Sequence, residues 1–359
     1  MVNANVLEII KKNLEVFLNE KKDKDILTFL METYKFTAHY AASCELSETL
    51  YLVLDNSIIQ EIKHRKDQSH RAIKAEAYLT FCKFVKYWSN TTTFIAISPM
   101  VVYEHLGRKI PKTRWELQIA LNELHTIICA TTLEIRYLGF CDAESLYPLL
   151  ENIVHDEVVL TTYIKNLDER SWKTDLSHPH GVKIPMSIAS KSLPTLPQLK
   201  YFRLGYIHFV LSGRVEKYII EQSKHNPNAM PIGGGDLPNL FYKINTYKKD
   251  LLKGLGDIDI FQICDVSGQC SQNSESYFIG QTLDKDLRKI LNIRHVKYSS
   301  VEFVVGESST NKEDIKNLLS VMLDPFEEDK KRSQLIQPKF SDFIKFIEEI
   351  CDRKLLQLY

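Results

Sequence analysis

The chain should fold as an α/β protein around a central, mostly parallel sheet, and three features of its sequence point that way. Short apolar runs at Tyr51-Leu52-Val53-Leu54, Thr93-Phe94-Ile95-Ala96-Ile97 and Tyr277-Phe278-Ile279-Gly280 have the length and composition of strands. Each leads toward a segment whose apolar positions recur at helical spacing, the alternation expected of strand–crossover–strand units. Each also leads to carboxylates: Asp55 follows the first run directly, Glu104 comes seven residues after the second, and Asp284 and Asp286 lie in the turn after the third. Acidic residues at the carboxyl ends of parallel strands meet along one sheet edge, where such folds bind ligands. They repel one another there unless a divalent cation neutralises them, which predicts Mg²⁺ or Mn²⁺.

Taken in order, Val6, Ile9, Ile10, Leu14, Phe17 and Leu18, then Ile26, Leu27, Phe29 and Leu30, predict two helices broken near Glu20–Asp25. They are expected to cover the core as a layer, in preference to forming a partner-binding arm. After the first strand Ser57–Ile62 opens a helix, and Asp67–Trp88 forms a second. Ser98 should cap the next helix with Pro99 at its first position, which puts Glu104 in the second turn, close to the strand end. From Pro111 to Lys249 helical patterns dominate, over Trp115–Tyr137, Ala143–Asn166, Leu199–Gln222 and Leu237–Leu252. A Pro/Ser/His-rich loop over Ser177–Pro197 and a glycine-rich loop at Pro231–Asp236 separate them.

These patterns divide the chain into an N-terminal helical region (1–45), a core in two parts (46–110 and 250–310), a helical insertion (111–249) and a helical tail (311–359). In the second core part a helix starts at or near Asp257, and strand Tyr277–Gln281 precedes helix Lys285–Leu291. Ser299–Gly306 is a last strand candidate. Glu327–Arg332 is a solvated charged run, and Ser341–Leu355 a final helix.

A length of 359 residues exceeds what one hydrophobic core usually serves, so two subdomains or one domain with a large insertion are expected. Lys+Arg and Asp+Glu both number 46, which excludes an overall basic field and leaves polyanion contacts to local patches. The seven cysteines are scattered without a CxxC pair, against zinc and a disulfide framework and in favour of a reducing cytosol. The N-terminus lacks the regions of a signal peptide, and no window approaches the roughly 18 apolar residues of a membrane span, so a soluble cytoplasmic protein is expected. Gly233-Gly234-Gly235-Asp236 lacks the Lys-Ser/Thr of a P-loop, and His155, His178 and His180 lack metalloprotease spacing.

The ordered features are a strand leading to Asp55-Asn56-Ser57, then Ser98 to Glu104, then Asp257-x-x-Ile260-x-x-x-Cys264, then Thr282-x-Asp284-x-Asp286-Leu287 after a strand. That order resembles the PIN-domain nucleases. In that family the first strand ends in an Asp followed by a small polar residue, and a helix opening with Ser supplies a second acid. A third acid opens a helix of pattern D-x-x-I-x-x-x-A, and a fourth sits in a T-x-D-x-D-[LF] turn. The resemblance covers residues 46–110 and 250–306, under half of the chain. It implies a three-layer α/β/α core and a divalent-metal-dependent nuclease, an endoribonuclease of toxin-like or phage-defence type. By position Asp55, Glu104, Asp257 and Asp284 match the four acids, Asp286 an accessory acid, Thr282 the turn hydroxyl and Ser57 the small polar residue. Two departures stand out: the long Glu104–Asp257 interval, and Cys264 where Ala is usual, a small apolar replacement.

The chemistry is independent of the name. Mg²⁺ takes oxygen ligands and keeps several waters, so three or four carboxylates suffice. The bound ion lowers the pKa of a coordinated water and stabilises phosphate charge during in-line attack. Asp55, Glu104, Asp257 and Asp284 are the ligand candidates, with Thr282 and Ser57 orienting water or a phosphate oxygen. Asp257 and Asp259 lie about 200° apart around a helix. Asp257 is preferred because Ile260 and Cys264 then form a buried stripe, which leaves Asp259 exposed. Asp284 and Asp286 are not separated by this reasoning. Taken singly, each acid is more ordinarily a cap or turn residue; their joint order favours a metal site.

Lys285, Arg288 and Lys289 after the acidic turn, with Arg294, His295 and Lys297 beyond, and Arg108, Lys109 and Lys112 after Glu104, are candidates for holding a polyanionic backbone. Lys63–Lys66 fits a solvated face. The expected partner is nucleic acid, RNA before DNA, with a homo-oligomer or a regulatory protein compatible and no membrane. The rival reading is a catalytically silent PIN-like scaffold that binds RNA or protein.

Overall fold

Parallel strands form the centre of the protein. The computed structural model describes residues 4–44, 47–66, 69–89, 91–167, 195–207, 210–211, 247–248, 251–264 and 276–291, with Phe343, Lys345, Ile347 and Glu349. In chain order the strands are β1 (Thr49–Leu54), β2 (Thr92–Ile97), β3 (Glu134–Tyr137), a short antiparallel pair β4 (Tyr247–Lys248) and β5 (Leu251–Leu252), and β6 (Ser276–Gln281). The main sheet has the order β3-β2-β1-β6, every neighbouring pair parallel. The protein is therefore an α/β protein. The register pairs Leu54 of β1 with Gln281 of β6, and Val53 with Ala96 of β2, so the strands end level at one edge.

The helices are α1 (Ala4–Asn19), α2 (Asp23–Ser43), α3 (Asn56–Lys63), α4 (Ser69–Trp88), α5 (Pro99–His105), α6 (Arg114–Ile128), α7 (Ala143–Lys165), α8 (Leu255–Cys264) and α9 (Lys285–Leu291). They bury both faces of the sheet, as a parallel sheet requires. On one face Leu50, Leu52, Leu54, Ile95, Ile97 and Ile279 join a core with Leu14, Phe29, Leu30, Phe81 and Phe84. On the other, Val53 and Ala96 meet Ile260 and Cys264 of α8 and Leu287 and Leu291 of α9. Gly280 allows this second contact: a Cβ there would lie 2.5 Å from Leu291 Cδ1 and 2.9 Å from Ile260 Cγ2.

α1 and α2 break at residues 20–22 and form a layer of the main core, with Phe36 of α2 edge-on to Tyr78 of α4 at 4.9 Å. The helical positions Phe343 and Ile347 belong to the same core, where Phe343 packs 4.5 Å from Phe84. Ser98 caps α5 by accepting from Val101 N at 3.3 Å, with Pro99 next, as the sequence predicts.

The segment 111–249 departs from the expected helical insertion. The helix expected over Trp115–Tyr137 stops at Ile128. A 3-10 turn follows, Thr132 takes a left-handed φ of 65°, and β3 then joins the sheet edge beside β2. The chain cannot stay helical through a left-handed threonine, and Leu138 N donates to Ile97 O to extend the pairing. α6 and β3 are thus part of the central fold. At the other end, β4 and β5 replace the last residues of the helix expected over Leu237–Leu252. The helix expected over Leu199–Gln222 starts later than expected: residues 199–203 are not helical, and helical backbone is present at 204–207 and 210–211. The glycine-rich loop at 231–236, His178, His180, Ser299–Gly306 and Glu327–Arg332 lie outside the described residues.

Candidate acidic site at the carboxyl edge of the sheet

Asp55 is the first residue beyond β1 and adopts extended backbone at the start of α3. Its N–H donates to Gln281 O at 2.8 Å, which prolongs the β1–β6 ladder by one step and fixes the residue at the edge. Its carboxylate Oδ2 accepts from Thr282 Oγ1 at 2.7 Å and from Ser57 Oγ. Thr282 Oγ1 in turn accepts from Asp284 N at 3.0 Å, and Ser57 Oγ accepts from Leu283 N at 3.2 Å. Two hydroxyls therefore stitch the end of β1 to the turn after β6. Burial pushes the Asp55 carboxyl above the usual range, the hydroxyl bonds oppose this, and the neighbouring Asp284 adds to the rise.

Asp284 is half-buried and caps α9, its Oδ1 accepting from Leu287 N at 3.0 Å. Asp286 belongs to α9, and its side chain is outside the described set. The charge of Asp284 reaches Asp55.

Glu104 enters from α5. Its carboxylate packs on Gly256, where an added Cβ would sit 2.7 Å from Oε2, so the glycine before Asp257 is what lets α8 approach it. Arg108 Nη2 donates to Glu104 Oε1 at 3.0 Å. Burial first, then the charge of Asp55, raises the Glu104 pKa to about 7 against the lowering pull of Arg108. Asp257 stands half-buried in the first turn of α8, next in sequence to that glycine.

Asp259 corrects an expectation. It is fully buried, not the exposed partner of Asp257. Its Oδ2 accepts from Ser98 Oγ at 2.5 Å, and its Oδ1 from Tyr201 Oη at 2.8 Å and Gln262 Nε2 at 3.1 Å. α8 lies between β6 and α5, so two faces of the helix are covered, and a single apolar stripe does not describe it. The carboxylate is tolerated because three donors satisfy it. Burial still raises its pKa to about 6.

The basic candidates divide. Lys109 and Lys285 are exposed near the ends of α5 and α9. Arg108 and Arg288 are taken into the protein instead. Arg288 donates to Thr282 O at 2.7 Å and to Glu32 Oε2 at 2.8 Å, and stacks 5.0 Å over Phe36. Arg108 bridges Glu104, Glu157 of α7 at 3.1 Å, and Leu252 O. The Lys289 side chain is outside the described set, as are Arg294, His295 and Lys297.

Glu157, Tyr103, Asp156 and Tyr201 carry no part of the sequence motif and surround it. One signal was available: Glu157 falls on the buried stripe Leu150, Ile153, Leu160, Ile164 of α7, where an apolar residue is the rule.

Among the described residues no three His, Cys, Asp or Glu side chains are gathered as a ready-made ion site. The acids are coupled in pairs, Asp55 with Asp284, Glu104 with Asp55, and Glu104 with Asp259. The donor set is nonetheless all oxygen, and the charge of Asp284 bears on Asp55 and that of Asp55 on Glu104, which suits a hard divalent cation. Among the described residues no helix is long and apolar enough to cross a membrane. Compared with protein-family models, curated proteins and solved structures, the chain matches none.

Proposed function

We propose that this protein is a divalent-metal-dependent nuclease with a PIN-like core, acting on RNA. One observation carries the reading: Asp55 shares its carboxylate with Ser57 and Thr282 at the carboxyl edge of a parallel sheet, within the field of both Asp284 and Glu104. Asp55, raised by burial and the charge of Asp284, beside Glu104, raised by burial and the charge of Asp55, is the state that Mg²⁺ or Mn²⁺ relieves. Asp55, Glu104, Asp257 and Asp284 would hold the ion. When bound, it supplies water activation and charge neutralisation for phosphodiester hydrolysis.

The chain's own contribution is placement. Ser57 and Thr282 fix the Asp55 rotamer, Gly256 lets α8 pack on the Glu104 carboxylate at the residue before Asp257, and the cap on α9 holds Asp284 in the turn. The exposed Lys109 and Lys112 beyond α5 are basic groups in reach of a sugar–phosphate backbone, and Lys285 is exposed at the start of α9. A role in toxicity or phage defence belongs to the same proposal.

A second reading, a silent scaffold binding RNA or protein, is favoured by one feature: Arg108 already balances the charge of Glu104. The deciding experiment is cleavage of labelled single-stranded RNA in Mn²⁺ by the protein, Asp55→Asn and Asp284→Asn. Wild-type cleavage that falls to background in both variants is the expected result. Equal activity in all three ends the catalytic proposal. Cleavage of structured DNA alone would change the substrate to DNA.

A further inference from the structure

We propose that α7 is a working part of the acidic site, with Glu157 and Asp156 as positioning residues that set Glu104 and α8 from outside the motif. The inference rests on the metal-dependent reading above, and its arms are built from two adjacent buried carboxylates.

Glu157 Oε2 accepts from Tyr103 Oη at 2.8 Å and Oε1 from Arg108 Nη1 at 3.1 Å. Arg108 passes the restraint on to Glu104 Oε1 at 3.0 Å, so the guanidinium is held at both ends between carboxylates of two helices. Its backbone supports the placement. Gly107 and Arg108 both take left-handed angles, φ 68° and 60°, where the α5 helix ends. A left-handed non-glycine residue is uncommon and costs on the order of 1 kcal/mol. Here it turns the arginine inward instead of letting it follow the chain to the surface.

Asp156 makes the second arm. Its carboxylate accepts from the N–H groups of Lys200, Tyr201 and Phe202 at 2.7 to 3.1 Å, gathering three consecutive backbone donors. That clasp fixes Tyr201, whose hydroxyl reaches Asp259 Oδ1 at 2.8 Å. Asp259 ties α8 to the cap of α5 through Ser98. Both arms thus end on the two helices that carry Glu104 and Asp257.

A purely structural role would be better served by apolar residues. A buried ion pair seldom outperforms a well-packed hydrophobic replacement, because desolvation offsets its attraction. Ligand-orienting partners behind a metal site, by contrast, typically change metal affinity about 10- to 100-fold when removed. The readout is therefore Mn²⁺ affinity of the full chain by calorimetry, alongside its melting temperature.

Glu157→Gln keeps the shape and removes the charge that holds Arg108, and its Mn²⁺ affinity should fall about 10- to 100-fold. Tyr201→Phe should weaken binding in the same direction and less. Val158→Ser, at an exposed neighbour on α7, should bind as wild type. Wild-type affinity in Glu157→Gln, even with a lowered melting temperature, leaves Glu157 structural only and overturns the proposal. If that variant does not fold, Tyr103→Phe carries the measurement, and unchanged affinity there overturns it equally. A wild-type protein that binds no Mn²⁺ sinks the metal site itself, and the positioning role with it. One that binds Mn²⁺ with the predicted variant order but cleaves nothing retains the positioning role and loses only the nuclease.

Discussion

The two corners of the acidic edge are held by opposite means. At the Asp55 corner every described partner is neutral: two hydroxyls bind the carboxylate and the same hydroxyls accept backbone N–H groups from the turn after β6. At the Glu104 corner the partner is a guanidinium, itself clamped by Glu157 of a distant helix. The hydroxyl corner joins two short segments, Asp55–Ser57 and the turn Thr282–Asp284, that the parallel pairing of β1 with β6 brings side by side. The ionic corner depends on packing between α5, α7 and β5, and would dissolve if any of them shifted. A carboxylate beside neutral donors stays available to a cation, whereas one beside arginine must share its charge.

The contrast can be broken in four ways. Arg108→Met leaves Glu157 buried without its cation and should cost about 3–5 kcal/mol in urea unfolding. A loss below about 1 kcal/mol would mean that the ionic corner is no stronger than a surface pair.

The second test is pH. Glu104 has a folded pKa of about 7 against 4.5 for the free group, so between these values the folded protein keeps a proton that the unfolded chain releases. Its stabilising contribution is full below the lower value and lost as pH rises through the upper one. The loss is about 3 kcal/mol at 1.36 kcal/mol per unit. Asp259, raised from 3.8 to about 6, acts in the same direction. Urea midpoints in a chelator should therefore fall from about pH 5 to about pH 8, and Mn²⁺ should flatten the curve if Glu104 is a ligand. A midpoint that rises over that window contradicts the buried geometry of both groups.

Gly280→Ala comes third. It forces a Cβ against Leu291 and Ile260 behind the hydroxyl corner and should cost about 1–3 kcal/mol. Because those contacts are apolar and touch neither Glu104 nor Asp259, the alkaline loss of stability should persist. The smallest effect belongs to Thr282→Val. It keeps the volume, removes one of two hydroxyls from Asp55 and the acceptor for Asp284 N, and should cost about 1 kcal/mol. If it costs as much as Arg108→Met, the two corners do not differ in kind.

Much of this edge was legible beforehand. The strands ending at Leu54, Ile97 and Gln281, the Ser98 cap, α9 and the helix carrying Asp257 follow from local patterning and cap chemistry. β3 was hidden because Glu134–Tyr137 is short, charged and at a sheet edge, so its periodicity merges with the helix before it. Asp259 was misjudged as exposed because helical spacing describes one buried stripe, and α8 is covered on two sides.

The sequence alone determined which carboxylates stand at strand ends and that Ser57 stands two residues from Asp55, because those relations span a few residues and obey backbone geometry; the Thr282 hydroxyl reaches Asp55 across 227 residues, through the parallel pairing of β1 with β6. Only the tertiary structure decided which charges answer them. Arg108 meets Glu157 across 49 residues, and Tyr201 meets Asp259 across 58. Contacts at such separations are chosen by burial, which penalises an unpaired charge wherever the fold happens to enclose it.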